Sequence, residues 1–278
     1  MIVMPYDPKP TKYPFPDITD RHYLVVKKND GAVFDKDYPF IDDSRSYRFK
    51  AALMRVLVQT VARPITYIAL GLKVKGKDNL KKHKGELSKG VISVANHIHL
   101  WDYIVEMLSF WRRKTRILVW DKNMMGENKK LIRYNGGIPV PVGDIKAQAA
   151  MSNTVLGYIK DGGWLHIAAE GSMWEYYMPI RPFKTGAANF AVKADVPILP
   201  CAFSYREPKG LFKLIYREGM ITFNIGEPLF PDKSLPRHEA VIDLTKRAHE
   251  ACCRLAGIDP SENIYPPVFE NNRRVDYY

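Results

Sequence analysis

The chain has 278 residues, enough to bury one large α/β core without disulfide or metal staples. Its 42 Lys+Arg against 30 Asp+Glu give a formal charge of +12, which favours a polyanionic partner: nucleic acid, an anionic lipid surface, or an acidic carrier or cofactor. The sequence lacks the glycine-aromatic signature of RNA-binding sheets and the ligand spacing of zinc fingers, which argues against nucleic acid; Cys201, Cys252 and Cys253, with no CxxC pair, read as free thiols in a reducing compartment.

Residues 1–43 contain six prolines and none of the zones of a signal peptide, so they read as an N-terminal extension of a chain that is not secreted. Within them HYLVVKKNDGAVF, residues 22–34, predicts a small hairpin turning at Asn29-Asp30-Gly31. Residues 51–72, AALMRVLVQTVARPITYIALGL, are the most apolar stretch, but Arg55 and Arg63 interrupt it and argue against a transmembrane span. On a helical wheel Arg55, Gln59, Arg63 and Thr66 share one narrow face, and Leu53, Leu57, Val61, Ile65, Ile68 and Leu72 line the other. The segment is amphipathic, kinked or restarted at Pro64. Flanking Arg48, Lys50, Lys73, Lys75 and Lys77 suit a helix lying in a lipid interface; a helix packed on the core with a solvated face is the alternative.

From residue 90 onward β-branched runs alternate with helical stretches. GVISVAN, TRILVW, GGIPVPV, GWLHIAAE, VPILPCAFSY and ITFNIGEP predict strands, with helices near 101–113, 145–161, 185–194 and 235–257. The alternation predicts an α/β fold, a mixed and mostly parallel sheet flanked by helices, in which ligands bind beyond strand ends. The last segment, residues 259–278, reads as an extended tail.

Chemistry is expected first at NHIHLWD. The strand ends near Asn96, so His97 emerges at its edge, and Asp102 starts the next helix. A carboxylate on one ring nitrogen fixes the tautomer and raises the basicity of the other, which can then accept a proton from a hydroxyl. No Ser or Cys stands in a G-x-S-x-G setting, so the nucleophile is expected to be a hydroxyl of the substrate. His97, His99 and Asp102 could instead offer three metal ligands, but the H-x-H-x-D-H pattern fails at Trp101 and Asp102; His99 is expected to line the pocket or cap the loop. Glu170, Gly171 and Ser172 follow another strand, where an ordinary turn is the alternative reading, and Arg181 and Lys184 precede a helix opening at Gly186, a setting suited to phosphate.

The order NHIHLWD, NGGIPVPV, AAEGS, PFKTGAANFAVKADVPILPCAF resembles the four consecutive motifs of the glycerolipid acyltransferase family, over about residues 50–230. Asn96, His97 and Asp102 match the family's N-H-x-S-x-x-D, with His99 in place of its serine. The second motif, G-x-I/F-x-V-D-R, opens at Gly136, but Pro141 and Val142 replace its aspartate and arginine. Glu170, Gly171 and Ser172 match the third, where Met173 replaces the usual arginine. Phe183, Lys184, Gly186 and Ala187 match the F-K-x-G-A run, and Val196, Pro197, Ile198 and Pro200 the V-P-I-x-P strand.

The resemblance implies acyl transfer from acyl-CoA or acyl carrier protein to a lysolipid hydroxyl, 1-acylglycerol-3-phosphate first, with no cofactor, metal or acyl-enzyme. His97 would be the general base and Asp102 its orienting partner. Glu170, Gly171, Ser172, Lys122, Gly136, Arg181, Lys184 and Pro197 would form the substrate site. With the two family arginines missing, Arg181, Lys184, Arg133 or Lys122 would meet the acceptor phosphate, or the acceptor is another lysolipid. The implied organisation is an extension to residue 43, an amphipathic membrane-associated segment over 44–75, an acyltransferase domain over 76–258 and the tail. Such a protein would sit, peripheral or monotopic, on the cytoplasmic face of an anionic membrane. A non-catalytic membrane-binding protein of the same fold is the alternative from another class.

Overall fold

The computed structural model describes residues 6–8, 30–110, 113–216 and 219–263. Most of the hairpin expected at 22–34 and residues 264–278 of the tail lie outside these residues; from Asp30 to Phe34 there is no strand, and the described start of the tail makes a 3-10 turn (Pro260–Glu262) instead of running extended.

Helix α1 (Arg45–Leu57) leads through a π-helical turn (Val58–Ala62) into α2 (Arg63–Ala69). The expected kink therefore lies just ahead of Pro64. Pro64 cannot donate a backbone hydrogen bond, and the chain widens beforehand so that the Arg63 N–H reaches back five residues to the Val58 carbonyl. The helical segment ends earlier than expected. Leu70 and Leu72 are buried in the core, and Lys73–Lys75 form strand β1, whose two lysines are exposed as on a protected sheet edge.

Short helices α3 (Lys77–Lys82) and α4 (Lys84–Leu87) precede β2 (Val91–Ala95), α5 (Asp102–Ser109) and β3 (Thr115–Trp120). A 3-10 turn (Asp121–Met124), α6 (Lys129–Tyr134), β4 (Gly137–Val140), α7 (Ile145–Lys160) and β5 (Trp164–Ala168) follow. The chain continues with α8 (Gly186–Ala194), β6 (Ile198–Arg206), α9 (Phe212–Ile215), β7 (Met220–Ile225) and α10 (Arg237–Ala256).

The strands form one seven-stranded sheet in the order β1-β7-β6-β2-β5-β3-β4. Each neighbouring pair is parallel except β6 with β7, so the expected mixed, mostly parallel sheet is observed. All five residues of β2 are buried, as a central strand covered on both faces requires. Ile92 and Val94 point to the layer of α7, α8 and α10, where Ala187, Ala188 and Ala191 let α8 lie close. Val91 and Ala95 point to the opposite layer with Val105 and Phe110. The end of the expected extension belongs to the first core as well, since Phe40 is buried in it.

The consequence for function is directional. Because β2, β5, β3 and β4 run in parallel, the segments after each converge on one edge of the sheet, where crevices form in such folds.

Candidate active site

At that carboxyl edge β2 gives way to a loop that starts at Asn96. The Asn96 side chain continues the ladder toward β6, accepting from the Phe203 N–H (2.8 Å) and donating to its carbonyl (3.1 Å). The next residues fold around the Asp102 carboxylate. Its Oδ2 accepts from the backbone N–H of Ile98 (2.7 Å) and His99 (3.0 Å) and lies 2.9 Å from His97 Nδ1. A carboxylate accepts only, so Nδ1 carries the proton and Nε2 presents its lone pair. Among the described residues Nε2 has no partner, and the ring is 31% exposed against 6% for the Asp102 side chain. A loop that holds its carboxylate by two amides before the histidine arrives can orient a base for a hydroxyl proton.

His99 closes the loop instead of joining the dyad. Its Nδ1 accepts from the Trp101 N–H (3.1 Å), and its ring meets Tyr176 edge-on with centroids 5.7 Å apart. Among the described residues no group of three His, Cys, Asp or Glu side chains is disposed to hold a metal ion.

The stretch after β5 supports His97 from below. Glu170 Oε2 accepts from the His97 N–H (3.0 Å) and from Arg181 Nη2 (2.7 Å), and Oε1 accepts from the Arg181 N–H (2.8 Å). Arg181 Nη1 donates to Ser172 Oγ at 2.6 Å, and the guanidinium stacks 4.5 Å from the Trp174 ring centroid. Trp174 N–H donates to the His97 carbonyl (3.0 Å) and Tyr176 N–H to that of Ile98 (2.9 Å). The loop bearing the histidine is thus pinned along both backbone edges.

These contacts redistribute the expected substrate-binding set. Arg181 is 1% exposed and engaged with Glu170, Ser172 and Trp174, so it positions the loop and does not face an acceptor phosphate. Arg133 is likewise held, by Tyr38 and Asp42. Lys184 remains at the edge. Its side chain crosses Gly171, at φ +78°, so closely that a Cβ there would stand 2.8 Å from Nζ. Lys122 is exposed at the exit of β3, over the Trp120 ring at 4.9 Å. Two residues are not in this site. Gly136 precedes β4 and Pro197 precedes β6, which puts both at the amino edge, about 20 Å from His97 at 3.3 Å per strand residue. Their motif roles are structural: a Cβ on Gly136 would lie 2.6 Å from the Thr115 carbonyl, and the Pro197 carbonyl accepts from the Ile92 N–H.

A buried polar chain beneath the dyad escaped the sequence reading. Trp164 Nε1 donates to Ser93 Oγ (2.9 Å), which lies 3.0 Å from His166 Nδ1; His166 Nε2 lies 2.9 Å from Glu106 Oε1, one turn after Asp102. Burial, then His97 nearby, pushes the His166 imidazole down to about 3, while burial and the Asp102 carboxylate hold the Glu106 carboxyl well above its ordinary range. Both groups are therefore neutral at mildly acidic pH.

The signs of these shifts predict a two-sided pH dependence of stability. As pH falls from 6.5 to about 3, the unfolded chain takes up a His166 proton that the folded one refuses, and stability falls. As pH rises above 4.5, the unfolded chain releases a Glu106 proton that the folded one keeps, and stability falls again. Glu106→Gln should abolish the second slope and keep the first, measured by urea unfolding across pH; an unchanged alkaline slope in the variant would refute it.

A mostly parallel sheet thus carries a paired, half-open histidine at its carboxyl edge, an arrangement able to take a proton from a hydroxyl. Residues 71–204, from the turn before β1 into β6, match the family model described as Acyltransferase. That match, just under half of the chain, takes in both the His97–Asp102 dyad and the Glu170 loop. Among solved structures, the 1-acyl-sn-glycerophosphate (LPA) acyltransferase PlsC from Thermotoga maritima is similar at 19% identity, covering 76% of this chain and 84% of that one, with a TM-score of 0.48. No curated protein matches.

Proposed function

We propose that the protein transfers a fatty acyl chain from acyl-CoA or acyl carrier protein to the free hydroxyl of a lysolipid, 1-acylglycerol-3-phosphate first, at the cytoplasmic face of an anionic membrane. The observation that carries this is the open Nε2 of His97, with Nδ1 on Asp102. Nε2 takes the acceptor's hydroxyl proton as its oxygen attacks the thioester carbonyl. Asp102 stabilises the imidazolium that forms. The tetrahedral intermediate collapses, the C–S bond breaks, and the thiolate leaves with the proton that His97 returns. Lys122, exposed at the exit of β3, supplies a point charge for the acceptor phosphate.

Three observations support an interfacial position. Phe49, Leu53 and Ile68 are 72%, 62% and 68% exposed, while Thr66 on the opposite face is buried and Gln59 half-buried. The helices thus present apolar residues outward and polar ones to the domain, the reverse of an ordinary surface helix. Second, Leu211, Phe212, Leu214 and Ile215 around α9 are exposed too, and Tyr216 beside them donates to the Ile68 carbonyl, so the two patches adjoin. Third, among the described residues no helix is long and apolar enough to cross a membrane. Leu53→Asp and Leu214→Asp are each expected to weaken binding to anionic vesicles about tenfold or more, from the lost transfer of one leucine side chain, with stability within about 0.5 kcal/mol of wild type. Sedimentation with vesicles and urea unfolding check the pair.

The function is tested by free-thiol release from palmitoyl-CoA and from palmitoyl-carrier protein, with and without lysophosphatidic acid. Acceptor-dependent release that His97→Ala abolishes is the expected result; release independent of acceptor would contradict it. The protein's own thiols will not obscure the assay, since Cys201, Cys252 and Cys253 are buried and burial pushes each of them up. That Arg181 and Arg133 are held elsewhere favours a second reading, an aminoacyl or sugar lysolipid acceptor. Salt-sensitive preference for lysophosphatidic acid over uncharged lysolipids decides between them.

A further inference from the structure

The buried chain of Trp164, Ser93, His166 and Glu106 takes no part in the proposed transfer, yet its place in the packing is specific. Asp102, Glu106 and, at the C-cap, Phe110 follow one another at four-residue intervals along one face of α5. Trp164 and His166 alternate along the facing side of β5. Phe110 meets Trp164 with ring centroids 4.5 Å apart, and Glu106 Oε1 lies 2.9 Å from His166 Nε2, so helix and strand run in opposite directions and meet rung by rung. The spacings agree, since four helical residues rise about 6 Å and two residues of a parallel strand about 6.6 Å. The next position on that side of β5 is Ala168, which has no polar group to offer Asp102.

What this ladder fixes is the height of Asp102. Its carboxylate is hydrogen-bonded to His97, Ile98 and His99, all in its own loop, and Trp101 gives α5 no side-chain cap. Elsewhere α5 is held by apolar contacts, Ile104 and Leu108 beside Val58 and Val105 in the core behind β2, and such contacts are non-directional. Among the described residues, Glu106 to His166 is the polar side-chain contact that ties α5 to a strand. His166 is held in turn: its Nδ1 is 3.0 Å from Ser93 Oγ, which accepts from Trp164 Nε1 at 2.9 Å, and Ser93 stands on β2 four residues ahead of His97. The chain therefore joins the helix that carries the aspartate of the dyad to the strand that carries its histidine. A polar chain in an apolar layer costs more than the leucine and phenylalanine that would fill the space, and what a paired one contributes is a single fixed geometry.

From this geometry we propose that Glu106 and His166 are positioning residues: their contact sets the register of α5 against β5, and through it the placing of Asp102 beside His97. Neither touches the substrate. A catalytic group must be held within about 0.5 Å of its productive position, and a slip of about 1 Å can cost about 10²-fold in rate. The kinetic consequence rests on the acyl transfer proposed above; the register does not.

Two readouts keep them apart. One is thiol release at saturating and limiting lysophosphatidic acid. The other is the His97 Nδ1–H resonance of protein carrying isotope-labelled histidine, assigned by its loss in His97→Ala, which needs no substrate. The main variant is Glu106→Leu/His166→Phe, since replacing both partners with apolar groups can be nearly neutral for stability and leaves Trp164 its acceptor in Ser93. Burial keeps both native groups neutral at mildly acidic pH, so the exchange alters no charge there and a change at His97 reports position. Expected are a folded double variant with kcat lowered about 10- to 10²-fold, KM little changed, and a His97 Nδ1–H signal that shifts and exchanges faster with water. Glu106→Asp, one methylene too short to keep its contact with His166, should show the same losses more weakly and decides the matter if the double variant does not fold. Glu106→Gln, whose amide still reaches His166, should recover most of the rate and the wild-type signal. An unchanged kcat and resonance in the folded variants would reduce the pair to packing and overturn the proposal. So would a raised KM with kcat intact, which would move its effect to substrate binding, or a Glu106→Gln as slow as the double variant, which would make acidity matter and not position. If the wild type releases no thiol from either donor, the acyl transfer falls and the resonance alone decides the register.

Discussion

Replacing His97 with alanine is expected to lower acyl transfer by about 10²- to 10⁴-fold, the usual contribution of a positioned general base, while the protein stays folded. The structure separates the two effects. The ring is 31% exposed, and its loss leaves Asp102 Oδ2 still accepting from the Ile98 and His99 amides, so no buried acceptor is stranded. The change in stability should be about 1 kcal/mol or less, the worth of one hydrogen bond. Asp102→Asn should cost less activity than His97→Ala, since an amide oxygen can hold the same loop but not stabilise an imidazolium. The measurements are thiol-release kinetics across pH and urea unfolding. A rate within tenfold of wild type would show that another group takes the proton.

Glu170→Ala is expected to destabilise the fold by about 3–5 kcal/mol, because it strands a guanidinium in the interior. Both side chains are nearly inaccessible, 2% for Glu170 and 1% for Arg181. For a domain with a typical stability of about 5–15 kcal/mol, that is a large share. Activity should fall for a further reason, since the same carboxylate holds the His97 amide. The double variant Glu170→Leu/Arg181→Met distinguishes the effects: replacing a buried pair with apolar residues can recover stability, yet the His97 loop still lacks its anchor. Recovered melting without recovered turnover is the expected result. Full recovery of both would mean that the pair is structural alone.

Much of the fold could be read in advance because its signals are local. Strand β3 falls on TRILVW and α7 on the expected 145–161 within one residue, where β-branched runs, the Asp144 cap and the 3.6 period coincide. Strand β1 could not be seen. KVK is three residues long and acquires its conformation from β7, far along the chain. Gly136 and Pro197 show a different limit: a motif records which residues travel together, but each of these precedes a parallel strand, and strand direction sends them to the edge away from the dyad. Arg181 looked like a phosphate ligand because a cation before a helix often is one. Its true neighbours, Glu170 and Trp174, are set by tertiary packing, as are the amides of Trp174 and Tyr176 that hold the His97 loop. The apolar GLFKLIY run around α9 was visible, and its exposure was the missing fact.

The pairing of β1 with β7 also governs the tempo of folding. Lys73 finds its partner at Thr222, and β2 finds β6 across about 105 residues, separations that slow folding because loop closure must precede the contacts that stabilise it. During synthesis, residues 45–69 leave the ribosome well before the far half of that sheet exists. For that interval the apolar row of α1 and α2, which stays outward even in the folded protein, has no sheet behind it and is open to association with any apolar surface at hand.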